Sequence, residues 1–213
     1  VKTDGSLPQP FSGAAPIRAV CAILAAGKST RMGEPKLVLP LAGAPLVARA
    51  LAAAAAYPRA VVVSPALAPH VGSAGGLTTI VNDEPDRGMT HSLRLANAAL
   101  GEPEAALVVL LGDTPFVDAS LVDRVIAARG DADVAYPARD GVPGHPVVFG
   151  PRARTAIAGL PDGDTLRSLR ADPRWTRIEL VTDDDGPFAD VDTPADFARI
   201  RARVEPSTLE RRS

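Results

Sequence analysis

The stretch Ala19–Lys36 reads AVCAILAAGKSTRMGEPK. Its first six residues, Ala19–Leu24, are an unbroken apolar run of strand length. The run gives way to the loop Leu24–Lys36, which holds small residues, Gly27, the hydroxyls of Ser29 and Thr30, and the cations Lys28, Arg31 and Lys36. A strand without polar alternation is one buried on both faces, as in a parallel sheet covered by helices. In such sheets ligands bind at the carboxyl ends of strands. A glycine-bearing turn there lets the backbone approach a ligand, and its N–H groups can surround phosphate oxygens. A solvated basic turn is the bland alternative.

Working outward, apolar segments of strand length alternate with helical patterns. Strands are expected at Ala60–Ser64, Leu77–Val81, Ala105–Leu111, Val134–Pro137, Pro146–Phe149 and Ile178–Thr182. Helices are expected over about 44–56, 90–100, 119–128 and 164–171, with a last one opened by Thr193 as cap, Pro194 in the first turn and Asp196 closing a capping box. Leu121, Val122, Val125 and Ile126 repeat at helical spacing behind Asp118, a second cap. The fold class that follows is a three-layer α/β/α Rossmann-like domain around a mostly parallel sheet. It spans 17–204, between a Pro/Gly/Ser-bearing leader at 1–16, expected to be disordered, and a flexible tail at 205–213.

Composition narrows the function classes. The chain has 213 residues, a formal net charge of −2 and 4% aromatics. This argues against a duplex-DNA binder, which needs a basic face, and against a base-stacking platform. Cys21 is the single cysteine, so disulfide frameworks and cysteine-rich zinc sites fall away, and its apolar surroundings make it a core residue. No apolar run is long enough to span a bilayer and no secretion-signal pattern opens the chain, which points to the cytoplasm.

Two further loops carry chemistry. Leu110-Leu111-Gly112-Asp113-Thr114-Pro115 puts a carboxylate at the end of the most continuous apolar run, where packing alone gives it no purpose. Asp113 suits a magnesium ion that also holds phosphates. Asp190-Val191-Asp192-Thr193-Pro194 places two acids on one side of an extended segment, and Asp192 competes between a second metal ligand and a helix-terminus charge. Gly27-Lys28-Ser29 also ends like a P-loop, but position 22, where that pattern needs glycine, holds Ala22. Among the histidines, His70 reads as solvated, His91 starts a helix, and His145 stands between Gly144 and Pro146 with a structural and an acceptor-contacting role both open. Trp175 is expected to start a strand, and Asp183-Asp184-Asp185 to form a solvated turn.

Together LAAGKSTRMGEPK, GDTP and DVDTPADF resemble the MobA-like nucleotidyltransferases over roughly residues 18–204. Asp140–Phe149 (DGVPGHPVVF) and the segment from Asn82 through Gly88 to Leu93 are similar to the molybdenum cofactor cytidylyltransferase branch, from which His91 departs at a position usually serine. The resemblance implies that Leu24, Ala25, Ala26 and Gly27 hold base and sugar. It implies that Ser29, Arg31 and Lys36 hold the triphosphate, that Asp113 and Asp192 bind Mg2+, and that Asn82, Gly88 and Ser92 line the pocket. Ala26 in place of a second glycine favours CTP over GTP. The implied reaction joins CMP from CTP to the phosphate of molybdenum cofactor and releases pyrophosphate, with a molybdenum hydroxylase apo-enzyme as partner.

The residues fit such chemistry without the family. Attack of an acceptor phosphate on an α-phosphorus brings two anions together, so cations and positioning matter more than a general base. No Ser/His/Asp triad pattern is present. The rivals are transfer to another phosphorylated acceptor (a sugar or alcohol phosphate), a non-catalytic cofactor carrier and a P-loop hydrolase.

Overall fold

The computed structural model describes residues 18–205. The expected leader lies outside them, as does the tail apart from Glu205. The strands in chain order are β1 (Ala19–Ala25), β2 (Pro40–Leu41), β3 (Ala44–Pro45), β4 (Arg59–Val63), β5 (Leu77–Val81), β6 (Ala106–Leu111), β7 (Val134–Arg139), β8 (Val142–Pro143), β9 (Val147–Phe149) and β10 (Arg177–Val181). The helices are α1 (Val47–Ala53), α2 (Met89–Leu100), α3 (Ala119–Arg129), α4 (Pro151–Thr155), α5 (Leu166–Ala171) and α6 (Pro194–Val204).

The main sheet runs β10-β7-β9-β6-β1-β4-β5, with β8 pairing β7 beyond the end of β9. β1 lies parallel to both β4 and β6, while β9 runs antiparallel to β6 and β7. The result is the expected three-layer α/β/α Rossmann-like architecture with a mixed, largely parallel sheet. Alternate residues of β1 feed opposite cores: Cys21, Ile23 and Ala25 pack with α1, α3 and α6, whereas Val20, Ala22 and Leu24 pack with α2 and α5. The period of two along a strand buried on both faces is what divides them.

Several expectations need correction. The helix drawn over 44–56 is only α1, because Ala42 and Gly43, both at positive φ, turn the chain into the small β2–β3 hairpin, and Ala54–Ala56 leave the helix ahead of Tyr57-Pro58. Alanine propensity extended that helix too far; the turn and the proline set its limits. The 164–171 helix begins at Leu166 behind a Thr165–Ser168 capping box. Trp175 sits in the turn before β10, between the guanidiniums of Arg174 and Arg152, not on the strand. β7 runs two residues beyond Pro137, and Asp140 and Gly141, at φ of 51° and 74°, turn it back into β8. Two consecutive positive φ values suit the right-handed twist of a tight hairpin, and Asp-Gly supplies them. The α6 and α3 caps form as read, with Thr193 accepting from the Asp196 N–H and Asp118 from the Leu121 N–H.

Cys21 is fully buried, and burial pushes its thiol up to about 12. Since the thiolate is the reactive form, labelling by a disulfide reagent at pH 8 is expected to be blocked in the native protein and to appear in step with unfolding in urea. Rapid native-state labelling would contradict this placement.

Candidate active site

The carboxyl ends of β1 and β6 are adjacent because the two strands pair in register from Ala19↔Ala106 to Leu24↔Leu111. Just beyond them the Gly112 N–H donates to the Leu24 carbonyl at 2.9 Å. A Cβ on Gly112 would stand 3.2 Å from Ala25 Cβ and 3.3 Å from Leu37 Cδ1. Glycine therefore keeps the two loops against each other, and it approaches the protein's own β1 rather than a ligand. Asp113 follows, and its carbonyl accepts the Val191 N–H at 3.1 Å, which clips the third loop to the second.

These loops enclose a cleft of about 350 Å3. One wall is Leu24–Arg31 with Lys36 and Leu37; the other is Pro85, Gly88, Met89 and Ser92; Leu111, Asp113 and Asp192 complete it. Gly88, at φ 85°, opens α2, so the N-terminal turn of that helix and the positive end of its dipole enter the cleft. Ser29 holds φ 53°, a left-handed conformation uncommon outside glycine, and its Oγ accepts the Lys36 N–H at 3.2 Å. Among the described residues, nothing in the chain accepts the N–H groups of Lys28, Ser29 or Thr30. A Cβ on Gly27 would meet no atom within 4 Å, so the wall there leaves space that a ligand can use.

Lys36 is the centre of the charge arrangement. The short 3-10 turn Lys36–Val38 buries it to 8% exposure, and its Nζ donates to Asp113 Oδ2 at 2.6 Å, to the Val191 carbonyl at 2.6 Å and to Asp192 Oδ1 at 3.1 Å. Arg31 takes the other Asp192 oxygen, Oδ2, at 2.8 Å. Lys28 reaches across the mouth to Asp86 on the opposite wall. All three loop cations are thus paired with carboxylates. Burial pulls Lys36 toward neutrality, but Asp113 and Asp192 outweigh it and hold the ammonium above its ordinary pKa. Asp190 lies outside the cleft lining; burial, then the charges of Asp192 and Asp113, push its carboxyl up. Of the two acids in that loop, Asp192 is the one brought to the cleft.

The donor set accommodates a hard divalent cation. Asp113 Oδ1 is buried with no hydrogen-bond partner, and Lys36 Nζ links the Asp113 and Asp192 carboxylates at the cleft. Among the described residues no group of three or more His, Cys, Asp or Glu side chains converges on one point. Magnesium takes oxygen ligands and is commonly held by one or two carboxylates plus substrate phosphates, so Asp113 and Asp192 are the residues that would hold it.

Most of the site residues expected from sequence line this cleft: Leu24, Ala25, Ala26, Gly27, Ser29, Arg31, Lys36, Gly88, Ser92, Asp113 and Asp192. Asn82 stands one layer behind, donating to Ser92 Oγ at 3.0 Å and accepting the Glu84 N–H at 2.9 Å. It positions a wall residue instead of lining the cleft. His145 is also absent from the lining. Burial pulls its imidazole down to about 4, and Nδ1 is buried without a partner. His91 is buried in the first turn of α2, with Nε2 3.8 Å from Glu84 Oε2. The P-loop reading fails on geometry, because the residues after Gly27-Lys28-Ser29 form a turn and a 3-10 segment, not the helix whose N-terminus that motif requires. Leu37, Pro85, Met89 and Leu111 were not expected at the site. They lie beside residues that were, and only the pairing of the strands showed which neighbours turn inward.

The family model of the MobA-like NTP transferase domain matches residues 21–178. The chain belongs to the MobA-like NTP transferases. A molybdenum cofactor guanylyltransferase of Rhodobacter capsulatus is 32% identical over 196 residues, covering 85% of this chain and 94% of that protein. The bifunctional protein GlmU of Ruegeria pomeroyi is 38% identical over 135 residues, covering 56% of this chain but 30% of its own length, so the chain spans about a third of the GlmU relatives it matches. Among solved structures, the Rv0371c homologue from Mycobacterium sp. strain JC1 superposes with a TM-score of 0.76 at 29% identity over 89% of this chain and 98% of that one. None of this chain's helices, among the described residues, is long and apolar enough to cross a membrane.

The Lys36 pairing has a pH signature. Its folded-state pKa is raised, so the stability it contributes is fully present below its unfolded value of 10.5 and is lost as pH rises through the folded value. Lys36→Met is expected to cost stability at pH 8, by less than the ~3–5 kcal/mol of breaking a fully buried pair because both acids are partly solvated. The gap to wild type should narrow above pH 10.5. Urea midpoints at pH 8 to 12 decide it; a gap that stays constant would exclude the ion pair as its source.

Proposed function

We propose that this cleft binds a nucleoside triphosphate and transfers its nucleotidyl group to the phosphate of a phosphorylated acceptor, with release of pyrophosphate. One observation carries the reading: residues 28–30, whose N–H groups have no acceptor among the described residues, the cations Arg31 and Lys36 and the acids Asp113 and Asp192 line a single cleft. Anion donors and a divalent-cation site side by side are what a metal-bound triphosphate needs. Mg2+, when held by Asp113 and Asp192, would offset charge at the reacting phosphates. The chain's own groups do the rest. The Gly27–Thr30 backbone and the α2 N-terminus hold phosphate oxygens. Leu24, Ala25, Ala26 and Leu111 offer apolar wall to base and sugar. Lys36 and Arg31 neutralise the approach of one anion to another.

The acceptor is proposed as a class, a phosphorylated small molecule, because the relatives carry more than one name. Within it, molybdenum cofactor is the acceptor to test first. The Rhodobacter capsulatus relative is named for that cofactor, and the segment Gly144-His145-Pro146-Val147 resembles the corresponding branch. CTP is the favoured donor on the resemblance at Ala26, and a molybdenum hydroxylase apo-enzyme is the partner that reading would supply.

The test is pyrophosphate release with Mg2+ and each of the four nucleoside triphosphates, against molybdenum cofactor and against sugar and alcohol phosphates. Signal is expected with CTP and the cofactor, and Asp113→Asn should reduce it by about 100-fold or more. Release with another acceptor would keep the transferase and replace the cofactor. Absence of release from every pair would refute the transfer reaction.

A further inference from the structure

The Nζ of Lys36 stands where the two acids of the cleft converge, on Asp113 Oδ2 and Asp192 Oδ1, with the Val191 carbonyl as third acceptor. Arg31 covers Asp192 Oδ2, which leaves Asp113 Oδ1 as the unpartnered oxygen of the pair. The groups suited to phosphates therefore occupy the groups suited to a cation. A divalent ion cannot engage both carboxylates fully while the ammonium holds one oxygen of each. A triphosphate cannot draw on Lys36 while the carboxylates hold it. Each ligand removes the obstacle to the other.

We propose that Lys36 is a resident counter-ion that competes with a divalent cation for the Asp113 and Asp192 carboxylates, and that it moves from them to the triphosphate when cation and nucleotide arrive together. This rests on the function proposed above and adds to it a coupling: cation and nucleotide bind each other's site form, so each binds weakly alone. No bond is made or broken in the exchange. An ammonium with acceptors on three sides passes to phosphate oxygens, and the carboxylates pass to the ion. Reciprocity follows, since any factor by which nucleotide tightens cation binding must equal the factor by which cation tightens nucleotide binding. The arrangement also disfavours futile capture of a bare ion, because the site is charge-compensated before the nucleotide comes.

The experiment is Mn2+ binding to the full chain, followed by electron paramagnetic resonance in the absence of nucleotide. Wild type should bind weakly. Lys36→Met and Lys36→Gln, which remove the competing charge, should bind at least about tenfold more tightly. Lys36→Arg, which keeps a cation there, should stay within a few-fold of wild type. Melting temperature gives a second readout if the neutral variants fold poorly: Mn2+ should raise theirs by more than it raises the wild-type value. Equal Mn2+ affinity in wild type and both neutral variants, or neutral variants that the ion neither tightens upon nor stabilises, would overturn the proposal. The readout needs no turnover. A protein that releases pyrophosphate yet shows equal affinities refutes only the counter-ion role, and one that shows the affinity difference without pyrophosphate release refutes only the reaction.

Discussion

One buried ammonium holds together three loops that are far apart in sequence. Lys36 comes from the turn after β1, Asp113 from the end of β6, and Val191 and Asp192 from the approach to α6. Three acceptors around a side chain this enclosed replace the water it has lost, and the two carboxylates keep it charged. The Gly112-to-Leu24 and Val191-to-Asp113 hydrogen bonds and the contact of Gly112 with β1 act in the same direction, fixing the loops against one another. The groups proposed to hold phosphate and cation are thus assembled and engaged with each other.

The sheet makes this possible. With β1 between β4 and β6, all three parallel, their carboxyl ends open onto one rim. The glycine at the start of α2 turns that helix so its N-terminus faces the same space. The two cores on either side, each fed by alternate residues of β1, make the platform rigid, so loop positions are set by strand register and not by the loops themselves. This is why short, polar, glycine-bearing segments can act as a defined cleft.

Much of this was legible in the sequence, for identifiable reasons. Ala106–Leu111 and Ala19–Ala25 are apolar throughout, so their burial on both faces could be read directly. Thr193-Pro194-Ala195-Asp196 and Asp118 carry local capping chemistry that needs no tertiary context. The cleft residues Gly27, Ser29, Arg31, Lys36, Asp113 and Asp192 stood out because a packed core has no use for them at strand ends. What was not legible depended on partners distant in sequence. That Lys36 pairs with Asp113 and Asp192, and that Arg31 joins them, is a consequence of strand order. The antiparallel sense of β9 is not encoded in three apolar residues. The placement of Asn82 behind Ser92, and of His145 outside the cleft lining, follows from packing that no local pattern reveals. The over-long α1 shows the reverse error, a strong local propensity curtailed by its neighbours.

The account is tested most directly by a crystal structure with Mg2+ and a cytidine triphosphate analogue that cannot be cleaved between its α and β phosphates. It predicts the triphosphate between residues 27–31 and Asp113, with Lys36 Nζ hydrogen-bonded to a phosphate oxygen and withdrawn from the carboxylates. A nucleotide seated outside this cleft, or Lys36 still at 2.6 Å from Asp113 with the triphosphate in place, would contradict it.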